Sequence, residues 1–152
     1  MDAFFPYSRV NEALNRVFFD GRFAGEPVYL SLDNEIRNEL ASILGCKPDD
    51  VEEQACNSVR RFLGKKDSDP YTRPSSEARI WLRAGMNGPP PFTGILFCLS
   101  HAAALMAADG EFGANNYYLR LSQLLDVPRE VLSRYRASTE QFWDGLASWL
   151  LK

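Results

Sequence analysis

The longest apolar run of the chain, PFTGILFCLSHAAALMAA at residues 91–108, constrains its fold more than any other feature. Apolar residues fall on every side of a helix drawn through this run, whereas a surface helix carries them along one stripe. The run is barely long enough to cross a bilayer, and it contains the polar residues Thr93, Ser100 and His101. We therefore expect a buried central helix near residues 92–108, against which the other elements pack.

Segments on both sides of this run carry apolar residues at helical spacing, with start and stop signals between them. Gly45 ends a helix that begins near residue 34, and Pro48 suits the first turn of the next helix. The expected N-caps are Ser8, Asp33 or Asn34, Ser75 or Ser76, and Ser138, which forms a capping box with Gln141. Together with segments near 115–125 and 128–137, these signals predict six to eight helices.

One segment has the pattern of a strand rather than that of a helix. In PVYLSLD, residues 27–33, apolar and polar side chains alternate, and the segment can either pair with the stretch AFFPY, residues 3–7, or run extended over the helices. We expect at most a short extended segment near 27–32. With 152 residues, 45% of them apolar and 24% charged, the chain has the size and composition of one globular domain. The sequence predicts a single compact all-α domain over residues 1–152.

The stretch ELASILGCKPDDV, residues 39–51, has the spacing of a helix-turn-helix unit, with Ala41, Gly45 and Val51 at its packing and turn positions. The start of its second helix carries four carboxylates, Asp49, Asp50, Glu52 and Glu53. Carboxylates at this position repel a DNA backbone, whereas they stabilise the positive end of the helix dipole. We interpret the hairpin as a packing unit and expect all four acids to be exposed.

Charge is unevenly distributed along a chain whose net charge is −3. Residues 60–83 contain seven basic and three acidic residues, a net charge of +4, whereas residues 1–59 have a net charge of −6. A basic segment of this kind can contact phosphates or an acidic partner protein, or it can simply be solvated. The candidate contact residues are Arg60, Arg61, Lys65, Lys66 and Arg73.

Residues that carry catalysis or bind metals are sparse. His101 is the single histidine, and Cys98 precedes it by one helical turn, but two ligands do not make a zinc site. The cysteines, odd in number, are typical of small buried side chains in a reducing compartment. Phosphate-binding, dinucleotide-binding, zinc-protease and nucleophile-elbow motifs are absent. We expect no enzyme, cofactor or metal, and an enzyme built on His101 is the third hypothesis.

Two aromatic residues are candidates for a partner surface. Tyr117 aligns with Leu121 on the predicted core face of its helix, which leaves the adjacent Tyr118 at the rim. The final helix, with Trp149 near its end, breaks off without a capping residue. Exposed aromatic side chains are enriched in protein interfaces. We therefore assign the candidate partner surface to Tyr118 and Trp149.

These observations favour a non-catalytic protein-interaction or scaffolding module, forming the N-terminal part of a larger intracellular protein. Its expected partners are another protein or downstream domains of the same chain. The N-terminus lacks the features of a signal peptide, and we expect a cytoplasmic location without membrane contact. The alternative hypothesis is a nucleic-acid-associated module that uses the basic segment 60–83.

Overall fold

The chain folds into eight α-helices in a computed structural model that describes residues 5–20, 30–64 and 69–151. The helices are α1 (Tyr7–Phe19), α2 (Asn34–Leu44), α3 (Val51–Leu63), α4 (Thr72–Arg83), α5 (Thr93–Asp109), α6 (Ala114–Leu125), α7 (Arg129–Arg134) and α8 (Arg136–Leu150). A short 3₁₀ helix, Pro48–Asp50, leads into α3. The described residues contain no strand, and the all-α prediction is confirmed. Residues 27–29 lie outside the described part, and residues 30–32 adopt no regular secondary structure.

Helix α5 occupies the centre of the fold and packs against α1, α3, α6 and α8. Every residue from Thr93 to Leu99 is buried, and so is Ala102. The prediction of a buried central helix is confirmed for this first half alone. In the second half Leu105 is only partly buried, while Ala104 and Ala107 are exposed. The later turns are therefore more accessible to solvent than the first half.

A network of buried polar side chains joins α1 to the start of α5. The side-chain amides of Asn11 and Asn15 both donate to the carbonyl of Pro90, at 2.9 and 3.1 Å. The Asn11 side-chain oxygen accepts a 2.7 Å hydrogen bond from the Gly94 backbone N–H, and Asn15 accepts one from the Thr93 hydroxyl. Asn11 thus caps the N-terminus of α5 from another helix, which satisfies a backbone group that α5 itself leaves unpaired.

Tyr7 closes this network on the side of the proline-rich turn. Its hydroxyl donates to the carbonyl of Pro91 at 2.7 Å, and its ring stacks on Phe62 with centroids 4.0 Å apart. Burial raises the pKa of the Tyr7 phenol well above its ordinary value. A Cβ at Gly94 would lie 2.7 Å from the Tyr7 ring, so the approach of α1 to α5 requires glycine there.

The predicted boundaries of α2 are confirmed. The Asp33 side chain caps the helix by accepting a 2.8 Å hydrogen bond from the Ile36 N–H. Gly45 ends the helix in the left-handed region, at φ 75°, where a residue with a Cβ is strained. Pro48 occupies the first position of the 3₁₀ turn before α3, as expected of a residue without an N–H to satisfy.

Three other predicted starts are wrong: Ser8, Ser75 or Ser76, and the Ser138–Gln141 capping box. Helix α1 begins directly after Pro6, whose ring fixes φ near −60° while ψ stays extended, so Pro6 itself is the N-cap. Helix α4 begins earlier, at Thr72. The Asp69 carboxylate accepts a hydrogen bond from the Tyr71 N–H, and this turn leads directly into the helix. Helix α8 begins at Arg136, so Ser138 already lies within its first turn.

The acids that open α3 do not all behave as predicted. Asp49, Asp50 and Glu53 are exposed, in agreement with a solvated first turn. Glu52 is partly buried and pairs with Arg37 of α2, whose Nη2 and Nε lie 2.5 and 2.8 Å from the same carboxylate oxygen. The expectation of exposure is therefore wrong for Glu52, because α2 presents an arginine to it across the hairpin.

Candidate functional site

The structure uses two residues of the basic segment for packing. The Arg60 guanidinium donates to the backbone carbonyl of Leu124 at 2.7 Å and to Glu53 at 2.9 Å. Arg73 donates to the carbonyl of Phe62 and lies over its ring, 4.8 Å from the centroid. Contacts of this kind hold both guanidinium groups against the protein.

Of the remaining candidates of this segment, the structure describes Arg61 alone. Arg61 is exposed and lines a shallow cavity of about 330 Å³ together with Arg73 and Phe62. Lys65 and Lys66 lie outside the described residues. The contact of this segment with phosphate or with an acidic partner stays a prediction.

The two candidate aromatic residues contact different helices. Tyr118 is partly buried on α6, where its ring meets that of Tyr117 edge to face at 5.2 Å. Trp149 is also partly buried, and its indole packs edge to face against Phe19 of α1, with centroids 5.1 Å apart. Trp149 thus joins α8 to α1, and its role in a partner surface stays a prediction.

Tyr118 lies beside apolar residues that the sequence pattern did not indicate. Phe112, in the turn between α5 and α6, is 74% exposed, and Leu119 of α6 is 39% exposed. They line a shallow cavity of about 450 Å³, and Tyr118 lines a neighbouring one of about 400 Å³. Arg129, at the start of α7, lines both. We call these four residues, Phe112, Tyr118, Leu119 and Arg129, the α6 surface.

Ionic contacts hold the turn that carries Phe112. Both side-chain oxygens of Asp109 accept from Arg120, with 2.8 Å between Oδ2 and Nε, and Asn116 donates to the same carboxylate. These hydrogen bonds, those from Arg120 above all, lower the pKa of Asp109 to about 2. Asn116 also donates to the carbonyl of Glu111. These contacts fix the backbone next to Phe112, whose side chain lies in solvent.

Charges of both signs border the α6 surface. Glu111 lines the same cavity as Phe112, and Glu130 lines the same cavity as Tyr118. Arg129 lines both cavities, so it shares one cavity with each of the two acids. The α6 surface therefore combines aromatic and aliphatic side chains with an arginine, and it has carboxylates beside it. This composition is typical of the central part of protein interfaces.

A local signal in the sequence marks Phe112, which the spacing of apolar residues does not single out. Phe112 stands between Gly110 and Gly113, and glycines at this spacing mark a turn, which normally lies at the protein surface. Gly110 adopts φ 73° as the C-cap of α5. An aromatic residue in a glycine-flanked turn between two helices is a recognisable candidate for an exposed contact. The exposure of Leu119 has no such signal, because it depends on which face of α6 the neighbouring helices cover.

The structure separates Cys98 and His101 chemically. The Cys98 thiol is buried and lies 3.8 Å from that of Cys56, whereas the His101 ring is parallel to that of Phe97 at 5.9 Å. The hydrogen bond with Cys56 and burial raise the pKa of the Cys98 thiol, which disfavours the nucleophilic thiolate. The described residues contain no group of three or more histidine, cysteine, aspartate or glutamate side chains that could hold a metal ion.

Among the helices of the described ranges, none is both long and apolar enough to cross a membrane. Comparison of the chain with protein-family models, with curated proteins and with solved structures gave no match.

Proposed function

We propose that the domain is a non-catalytic protein-interaction module and that it binds its partner through the α6 surface. The main support for the proposal is the exposure of Phe112. This residue is 74% exposed, and ionic contacts between Asp109 and Arg120 hold the turn that carries it. Burying such a ring in an interface removes apolar area from water, and little conformational entropy is lost when the backbone is already ordered.

The partner that the charge pattern favours is a second copy of this chain. In a two-fold symmetric contact the same surface meets itself, so each charge needs an opposite charge within that surface. Arg129 and its neighbours Glu111 and Glu130 satisfy this condition, since the arginine of one copy can pair with an acid of the other. A surface whose charges all had the same sign would repel the identical surface of a second copy.

Sedimentation velocity over a range of protein concentrations tests this proposal. We expect reversible dimerisation with a dissociation constant on the order of 10⁻⁵ M, as is usual for small transient interfaces. Phe112→Ser removes the exposed ring and should weaken the dimer by about tenfold or more. Ile80→Ser is the matched control, because Ile80 is 65% exposed on α4 and does not belong to the α6 surface.

Charge reversal identifies the ionic contact. Arg129→Glu should weaken the dimer, and a second change, Glu111→Arg or Glu130→Arg, should restore it if that acid is the partner of Arg129. A chain that stays monomeric at every concentration would overturn self-association. Equal weakening by Phe112→Ser and Ile80→Ser would show that the dimer forms elsewhere.

A further inference from the structure

A second cavity, of about 410 Å³, lies beside His101 and is lined by other helices than the α6 surface. It opens between residues 30–32, α2, α5 and α8. Its volume falls in the range of about 300–1,000 Å³ that is typical of small-molecule sites. We call it the His101 cavity, and what it binds does not depend on the proposed function.

The walls of the His101 cavity are mainly apolar and aromatic. Leu30, Phe97 and Leu146 are buried side chains that face it, and the Trp143 indole at its edge is 38% exposed. The His101 ring lies parallel to that of Phe97, with only 5° between their planes. Phe97 is 1% exposed and so supports the His101 ring from below, while the partly buried His101 ring and the exposed Trp143 indole offer the flat surfaces on which a flat apolar molecule can pack.

The described residues that line the cavity carry little net charge at neutral pH. Among these described residues one side chain is permanently charged, Arg37, whose guanidinium pairs with Glu52 and also donates to Asn34. The pKa of His101 is lowered mainly by burial and further by Arg37, against an opposing effect of Glu52. His101 is therefore uncharged at pH 7 and offers a ring nitrogen for a hydrogen bond, as Ser100 offers its hydroxyl.

We infer that the His101 cavity binds a small, uncharged, planar aromatic molecule that carries one hydrogen-bonding group. The His101 ring, which Phe97 supports, and the Trp143 indole contact its body, and His101 or Ser100 bonds its polar group. A charged ligand would lose its hydration without gaining an unpaired opposite charge, because Glu52 already neutralises Arg37.

Titration of the full chain with 1-naphthol, followed by ¹H–¹⁵N correlation NMR, tests the inference. We expect saturable shifts of the Trp143 indole N–H with a dissociation constant on the order of 10⁻⁴ M, as suits a ligand of this size. The indole N–H signals of Trp81 and Trp149 serve as internal controls, and their chemical shifts should not change. Anionic 1-naphthalenesulfonate should bind several-fold more weakly.

Two substitutions on α5 locate the site. Ala104 lines the cavity, so Ala104→Phe should weaken naphthol binding by about tenfold or more by displacing its apolar contacts. Ala107→Phe adds the same ring one turn later, outside the lining, and should leave binding unchanged; circular dichroism checks that both variants are folded. The inference is overturned if naphthol fails to shift the Trp143 signal, if the sulfonate binds equally well, or if both variants bind alike.

Discussion

Single side chains with fixed partners determine how the helices of this protein meet. Asn11 and Asn15 point from α1 into the start of α5 and are buried, yet each has both a donor and an acceptor contact. A buried amide without partners would be strongly destabilising, so this pairing permits one relative placement of the two helices. At Gly94 the same contact leaves no room for a side chain.

Asp109 provides a prediction at the scale of one carboxylate. Its pKa, about 2, lies below the ordinary value of 3.8, so its ion pair with Arg120 stabilises the fold fully at pH values above about 4. This contribution is lost as the pH falls from about 4 to about 2. Arg120→Gln should raise the pKa of Asp109 toward 3.8 and reduce the acid dependence of stability over that interval.

Carboxyl-carbon NMR titration measures this pKa directly. Thermal unfolding between about pH 2 and about pH 5, the range of an Asp titration, measures how stability depends on pH. Arg136→Gln is the control, because Arg136 pairs only loosely with Glu140 at 3.9 Å on the exposed side of α8. An Asp109 pKa that does not move in Arg120→Gln would show that Asn116 or the local backbone lowers it instead.

At the scale of elements, α5 shows that an apolar pattern on every face does not by itself produce burial on every face. Helices α1, α3, α6 and α8 pack against α5, yet only its first half is buried and its later turns reach solvent. The sequence predicts equal costs for removing Leu99 and Leu105, on the order of 2–5 kcal/mol each. The structure separates the two positions.

Leu99→Ala and Leu105→Ala therefore should differ in the free energy of unfolding. Leu99 is 3% exposed, so its truncation leaves a cavity and should cost about 2–5 kcal/mol. Leu105 is only partly buried, and its truncation should cost about 1 kcal/mol, since solvent already reaches the site. Urea titration of both variants measures the difference, and equal losses would contradict the exposure of the second half of α5.

At the scale of the whole molecule, Arg60 links parts of the chain that are distant in sequence. It projects from α3 and donates to the carbonyl of Leu124 in the last turn of α6, which the helix itself leaves unpaired. Arg60 therefore serves as a C-terminal cap for α6. A test of nucleic-acid binding by the basic segment has to separate this structural role from any contact with phosphate.

Arg60→Gln should destabilise the fold by about 1–2 kcal/mol, because a charged hydrogen bond to a partly buried carbonyl is lost. Arg79→Gln, on the exposed side of α4, should change the free energy of unfolding by less than about 0.5 kcal/mol. Urea titration again makes the comparison. Equal stability of the two variants would mean that water replaces Arg60 at the Leu124 carbonyl without loss.

The sequence by itself determined the helical class of the protein and several helix ends, because apolar spacing and capping act over a few neighbouring residues. Asp33 and Gly45 illustrate this, as does the buried first half of α5. The start of α4 was predicted wrongly because a residue outside the helix, Asp69, forms the turn that precedes it. Of the α6 surface, the sequence indicated Tyr118 alone.

The tertiary structure decided which of these side chains are free to bind anything. Phe112 in its turn and Leu119 on α6 are both apolar, and their place in the sequence does not state that no other helix covers them. Arg60 and Glu52 are charged, yet each is occupied by a group from another helix. Exposure and pairing depend on contacts between distant parts of the chain, and such contacts exist only once the helices have packed.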